Sequence, residues 1–307
     1  MNHSLQQFEV FVRIAEAGSI TRAADELHLS QPAVSIQLRN FQRQFDIPLT
    51  EVIGRKLHIT EFGREIALAA RKVLEEVRLI EGKSMAHKGQ LTGRIRVAVV
   101  STGKYVMPYF LSDFLARHPG VELFMDVTNR SRVIQSLEHN EVDFALVSIA
   151  PPHLITEGVA LMQNKLFLVG NRPPDSRKGA LPKEILKELP LIYREEGSGT
   201  RMVMEAFMAK NKLQVKKKLE LTSNEAVKQS VMAGLGFSIM PLIGIKDELG
   251  NGSLHIIPVK GLPVKSVWNL VWLKGKQFSP QVKLYIDYLK KDKERIMKER
   301  FEWFDQY

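Results

Sequence analysis

The stretch Gly18-Ser19-Ile20-Thr21-Arg22-Ala23-Ala24-Asp25-Glu26-Leu27-His28-Leu29-Ser30-Gln31-Pro32-Ala33-Val34-Ser35 decides the fold. Before it, Leu5, Phe8, Val12 and Ala15 recur at helical spacing and predict a first helix that stops at Gly18. Ser19 reads as the cap of a second helix carrying Ile20, Ala23, Ala24 and Leu27, and His28 with Leu29 as a short turn. Ser30 caps a third helix, which tolerates Pro32 in its first turn. On that helix Val34, Leu38, Phe41 and Phe45 predict one apolar stripe. Two capped helices joined by a short turn make the helix-turn-helix arrangement, and the adjacent alanines at 23 and 24 allow a close crossing. An all-α structural bundle would show the same spacing.

Pro48 ends this unit, and Arg55-Lys56-Leu57-His58-Ile59 alternates as a small basic β-wing should. A helix is predicted over 61–88. Its Ile66, Val73 and Ile80 fall seven apart with Phe62, Ala69 and Val77 alongside, a seam suited to dimerisation. A helix packed on its own domain would give the same pattern. After a linker at 89–93 the chain alternates strand and helix, which predicts a mainly parallel α/β sheet. Strands are expected at 95–100, 121–127, 144–149, 165–169, 191–194, 217–221, 237–240 and 267–273. The helices between them are expected at 105–117, 132–139, 202–210 and 224–233, with a last one from Ser279. The domain plan is a winged helix-turn-helix over 1–60, a linker helix over 61–89 and a two-lobed α/β domain over 90–307. Lobe I would hold 92–162 and 266–307 and lobe II 163–265, with the chain crossing near 161–166 and 262–267.

By helical wheel, Pro32, Ile36, Arg39 and Arg43 lie opposite the apolar stripe, with Gln31 and Ser35 on one flank. No acidic residue occurs from Leu27 to Phe45, as a surface presented to phosphates requires. Gln31 can pair with adenine and Ser35 with base edges or phosphate, while Arg39 and Arg43 read as phosphate contacts. Ile36 suits either a thymine methyl group or a contact within the protein. Arg55 and Lys56 on the wing would reach phosphate or the minor groove. Thr21 and the Ser30 cap complete the candidate DNA contacts.

In two-lobed α/β domains the ligand sits beyond the carboxyl ends of the strands. Ser101 and Thr102 follow the first strand of the second domain and precede a helix; Gly197-Ser198-Gly199-Thr200 does the same further on. Two helix N-termini facing a cleft from opposite lobes suit an anion. Asn129 and Ser148 are expected at the ends of neighbouring strands. The candidate effector contacts are therefore Ser101, Thr102, Asn129, Ser148, Ser198, Gly199 and Thr200, any one of which alone could be a simple helix cap.

The run from Gly18 to Ser35 resembles the signature of LysR-type transcription regulators, and Thr60-Glu61-Phe62-Gly63 is similar to that family's wing-to-linker junction. Glu196-Gly197-Ser198-Gly199-Thr200-Arg201, Ser223-Asn224-Glu225-Ala226-Val227-Lys228, Gly234-Leu235-Gly236-Phe237 and Ser101-Thr102-Gly103-Lys104-Tyr105 resemble the subgroup controlling carbon-fixation and sulfur- or nitrogen-assimilation operons. The chain departs from the family's common pattern at Ile36, at Phe41-Gln42 and at Leu49-Thr50. The resemblance implies effector contacts at Ser101, Thr102, Ser148 and Thr200. It also implies a homodimer or homotetramer on double-stranded promoter DNA, a small anionic metabolite as effector, and RNA polymerase as a further partner.

Composition narrows the rivals. The net charge is +10, but residues 1–60 hold six Lys or Arg and six Asp or Glu, so charge alone does not locate the DNA-binding part. There are no cysteines, hence no disulfides or thiolate metal sites. Met1 to Glu9 carries no basic region with an apolar run, and no long apolar stretch occurs, so neither a secretory signal nor a membrane span is expected and the location predicted is the bacterial cytoplasm. That argues against a solute-binding or transport receptor, which would share the sensing fold. An enzyme is the third reading. Gly-Ser-Gly-Thr is not a dinucleotide fingerprint, and there is no Walker motif, nucleophile elbow or zinc-binding histidine spacing. No catalytic residue, metal or cofactor is expected.

Overall fold

The computed structural model describes residues 3–54, 56–87, 91–174 and 179–307, and its contacts divide the chain into Met1–Gly89 and Gln90–Tyr307. In the first unit, α1 (Leu5–Ala17) starts in a reciprocal cap between Ser4 and Gln7 and ends at Gly18, whose φ of 60° is left-handed. Ser19 caps α2 (Ile20–Leu27), and Ser30 caps α3 (Gln31–Gln42). Phe11, Ile14, Val34, Phe41 and Leu49 are fully buried in one core, and Ala23 and Ala24 let the helices meet. The helix α3 ends before Phe45. That ring lies past the helix end but still packs in this core, 5.1 Å from the Phe41 ring.

Strands β1 (Thr50–Ile53) and β2 (Lys56–Ile59) form an antiparallel wing with Thr50 opposite Ile59. The wing is anchored to α4 (Glu61–His87) by Thr60. Its Oγ1 donates to the Pro48 carbonyl (2.7 Å) and accepts from the Gly63 amide (2.9 Å). Gly63 is buried so closely against the Leu49 carbonyl and Ile59 that a Cβ would collide with both.

The second unit is built on one seven-stranded sheet. Its strands are β3 (Gly93–Val100), β4 (Val121–Thr128), β5 (Phe144–Val147), β6 (Thr156–Gly170), β9 (Ser238–Pro241), β10 (His255–Ile256) and β11 (Val264–Leu273). The order is β10-β6-β11-β5-β3-β4, with β9 also on β6. Only β3 with β4 and β3 with β5 are parallel in this sheet; β11 runs antiparallel to β5 and β6, as do β9 and β10 to β6. The mainly parallel sheet expected from alternation is thus mixed. The physical reason is that the chain passes between the lobes on two long antiparallel strands, β6 and β11, whose ends alone read as separate short strands. The points 162/163 and 265/266 lie inside these strands, where Asn164 pairs in register with Ser266.

Strands β7 (Leu191–Arg194) and β8 (Lys217–Leu221) form a small parallel sheet in the second lobe. Helices α5 (Met107–Arg117), α6 (Arg130–Glu138) and α10 (Pro280–Phe301) belong with the first lobe. Helices α7 (Gly199–Lys210), α8 (Asn224–Met232) and α9 (Lys246–Gly250) belong with the second. Trp268, Tyr285, Phe110, Phe114 and Phe144 fill the larger core; Leu168, Leu191, Tyr193, Phe207 and Ile239 fill the smaller. Among the described residues no helix is long and apolar enough to cross a membrane.

Candidate functional site

Two surfaces gather the residues singled out above. On α3 the buried Val34, Leu38 and Phe41 turn the opposite face outward. Gln31, Pro32, Ile36, Arg39 and Arg43 are exposed there, and Ser35 is half-buried. Gln31 Nε2 donates to Ser35 Oγ (3.0 Å), so one side chain holds the other on the face they share. Ile36 is 53% exposed and does not serve the unit's own core. Thr21 and the Ser30 cap are also exposed, as is Lys56 on the wing. Arg55 lies outside the described residues. This face offers hydrogen-bonding side chains, the exposed cations Arg39 and Arg43 and the N-terminus of α3.

The proposed seam on α4 divides. Phe62 and Ile66 pack inward on the unit's own core, because α1 lies along the start of α4 and Arg71 pairs with Glu16 there (3.0 Å). Val73 and Ile80 are 41% and 66% exposed. A seven-residue repeat by itself cannot tell these two uses of an apolar face apart.

The second surface is a narrow cleft in the second unit. From the first lobe it is lined by Val100, Ser101 and Thr102 at the end of β3, by Asn129 and Arg130 at the start of α6, and by Ser148 after β5. Arg194 at the end of β7 and Ser198, Gly199 and Thr200 at the start of α7 face them, and Asn164 of β6 lies between. All seven sequence candidates therefore share one wall or the other. Two details differ from expectation. Residues 103–105 form a single 3-10 turn, α5 begins at Met107, and Thr102 caps nothing, so no α-helix starts at Ser101-Thr102. The N-terminus that meets α7 across the cleft is that of α6, capped by Asn129, whose Oδ1 accepts from the Arg132 amide (3.1 Å). Asn129 and Ser148 follow β4 and β5, which flank β3 on opposite sides rather than adjoin.

Polar contacts bind the lobes across the cleft. Ser101 Oγ accepts from Arg194 Nη1 (3.1 Å) and from Asn224 Nδ2 of α8 (2.8 Å). Arg194, 4% exposed, is gripped by Glu195 through Nε (2.7 Å) and Nη2 (2.9 Å), which neutralises and orients it. The Ser131 amide donates to the Gly197 carbonyl (3.2 Å). Gly197 has a φ of 82°, and a Cβ there would stand 2.6 Å from Ser131 Oγ, so the two lobes approach as closely as they do only over a glycine. Arg130 is held by the Ile149 carbonyl (3.3 Å), and desolvation lowers its pKa from the ordinary value. At neutral pH it remains a cation.

Arg130, Asn164, Arg194 and Asn224 were not among the candidate effector contacts. Asn164 stands in the polar run Gln163-Asn164-Lys165, just before the strand expected at 165–169, and carried no readable signal. Arg130 and Arg194 are basic residues at strand ends. Asn224 stood in the Ser223 to Lys228 stretch that carries the resemblance, and that was its signal. Among the described residues no cluster of side chains suited to a metal ion occurs.

Comparison with known proteins identifies the family. Residues 5–64 match the bacterial regulatory helix-turn-helix of the lysR family, and residues 88–293 match the LysR substrate binding domain. The chain is a LysR-family transcriptional regulator. The regulator is 38% identical to the RuBisCO operon transcriptional regulator of Allochromatium vinosum over 299 residues, covering 96% of this chain and 98% of that one. It is 36% identical to the transcriptional activator CmpR of Synechocystis sp. over 289 residues, covering 94% and 95%. The solved regulatory domain of CcmR from Synechocystis PCC6803, in complex with 2-PG, superposes with a TM-score of 0.62 at 33% identity, covering 64% of this chain and 96% of that one. One of these relatives is named for the RuBisCO operon, and the regulator reading prevails over that of a solute receptor.

Proposed function

We propose that this LysR-family regulator controls a metabolic operon of the carbon-fixation type in response to a small organic anion held in the cleft of its second unit. The observation that carries the reading is the convergence of Arg130 with the N-termini of α6 and α7 in one pocket, where Arg194 is already neutralised by Glu195. Helix N-termini and a partly desolvated guanidinium favour negative charge, although the Ser131 and Arg132 amides of α6 are already given to the Gly197 carbonyl and Asn129 Oδ1. Because the solved CcmR domain carries 2-PG, 2-phosphoglycolate (or a phosphorylated carboxylate like it) is the natural first probe.

DNA is read by Gln31, Ser35 and Ile36 at base edges, with Thr21, Ser30, Pro32, Arg39, Arg43, Arg55 and Lys56 around them holding the backbone. Val73 and Ile80 on α4 provide apolar surface for a homodimer or homotetramer, which suits a site of two half-sites. RNA polymerase is the remaining partner, the compartment is the bacterial cytoplasm, and no catalytic step or cofactor belongs to the scheme. A ligand touching both lobes favours one lobe arrangement only by its differential affinity for that arrangement.

The test is Thr200→Val, which keeps shape and removes a hydroxyl from the first turn of α7. Calorimetry with 2-phosphoglycolate should show affinity lower by about 1–3 kcal/mol, the usual cost of a hydrogen bond to a charged group. Footprinting without the ligand should be unchanged. Normal binding of the anion together with weakened DNA binding would make Thr200 a structural cap and remove the cleft from the mechanism.

A further inference from the structure

Asn164 stands apart from the other polar groups of the cleft. It sits on β6 among buried Leu161, Met162 and Leu166, and only 4% of it is exposed. Its Nδ2 donates to Ser266 Oγ on β11 (3.3 Å), the residue paired with it in register. Its Oδ1 is buried and meets no hydrogen-bond partner among the described residues, and the residue lines the cleft. A buried carboxamide whose oxygen is left unsatisfied is unfavourable, and such groups persist where something else completes them.

The surroundings say what completes it. The opposite walls offer donors: Arg130 and the start of α7 at Gly199 and Thr200. Ser101 joins them, because Arg194 and Asn224 occupy both lone pairs of its oxygen and leave its hydrogen to be given away. Those groups suit the negative end of a ligand. Asn164 Oδ1 is an acceptor, so it suits a donor on the same ligand. A bare acid offers none at neutral pH; an alcohol does.

We propose that Asn164 is a specificity residue that accepts a hydrogen bond from a hydroxyl of the ligand, and that the preferred ligand is a hydroxylated organic anion, such as a phosphorylated hydroxy acid. This rests on the anion reading of the cleft given above. Ser266 acts as a positioning residue. By holding Nδ2 it turns Oδ1 toward the ligand. Both residues lie on the strands that link the two lobes, so the hydroxyl is read where lobe orientation is set.

The experiment uses the full-length regulator and three probes: 3-phosphoglycerate, 3-phosphopropionate, which lacks its hydroxyl, and 2-phosphoglycolate. Calorimetry on the unaltered protein should show 3-phosphoglycerate binding about tenfold tighter than 3-phosphopropionate, the worth of one buried hydrogen bond. Asn164→Leu should bring the two affinities together while leaving 3-phosphopropionate within about twofold. Its melting temperature without ligand should hold or rise, since an unsatisfied polar group is replaced by an apolar one of similar size. Ser266→Ala keeps the carboxamide but frees its orientation, and should lose part of the preference; this variant serves if the leucine protein does not fold. Equal weakening of both probes by Asn164→Leu would mean that the amide nitrogen contacts the shared anionic groups, and would overturn the assignment. So would a preference that survives both substitutions, or no preference at the outset. If none of the three anions binds, the anion reading itself fails and the assignment falls with it.

Discussion

Helix α3 presents Gln31, Ser35, Ile36, Arg39 and Arg43 from one helix and its cap, whereas the cleft draws Ser101, Asn129, Asn164, Arg194 and Thr200 from five separate segments. The first surface needs little beyond helical periodicity: once Val34, Leu38 and Phe41 are buried, the outward residues follow. The second exists only when β3, β4, β5, β6 and β7 have been placed and both lobes have met. A local surface tolerates substitution one side chain at a time. An assembled one couples its members, as Ser101 is coupled to Arg194 and Asn224.

The largest expected effect tests whether the two units are separate in energy as well as in contacts. Phe41 is fully buried, with the Phe11 and Phe45 rings 5.2 Å and 5.1 Å away. Phe41→Ala should cost the first unit about 3–5 kcal/mol. Scanning calorimetry should show its transition moving down while the second unit melts, and binds 2-phosphoglycolate, as before. One transition that shifts as a whole would mean that the units unfold together, and the contrast drawn above would weaken.

A smaller effect sharpens the account of α3. Gln31→Ala should cost about 1–3 kcal/mol on the specific operator and relax base preference, with random DNA little affected. Arg39→Ala should weaken both DNAs alike and reduce the salt slope by about one. Equal losses on both DNAs from Gln31→Ala would take that residue out of base reading. Ser35→Ala, which frees the Gln31 side chain, should fall between the two.

The smallest effect compares two caps. Ser19 accepts from the Arg22 amide (3.4 Å) on the surface, and Ser19→Ala should cost about 1 kcal/mol of stability in the first unit with ligand binding untouched. Ser198 makes the same kind of cap on α7 but is 3% exposed and lines the cleft. Ser198→Ala should cost a similar amount in the second unit and also weaken anion binding. A purely thermal effect at Ser198 would reduce it to a cap like Ser19.

What the chain's residues determined unaided is whatever depends on near neighbours. The caps Ser19 and Ser30, the Gly18 stop, the strands at 191–194 and 217–221, and the family signature all lie within a few residues of the groups they organise. The cleft candidates at the ends of β3, β4 and β5 and at the start of α7 were nameable for the same reason: strand ends before helix starts are local features. Tertiary structure alone decided the rest. It ended α3 before Phe45 and turned Phe62 and Ile66 inward while leaving Val73 and Ile80 outside. It ran β6 and β11 antiparallel through the lobe boundary and set α6, not residues 101–102, opposite α7. It also left Asn164 Oδ1 without a partner among the described residues. Each of these depends on which distant segment supplies the neighbour. Burial, sheet order and hydrogen-bond satisfaction are properties of pairs far apart in the chain, and a single residue pattern is compatible with more than one such pairing.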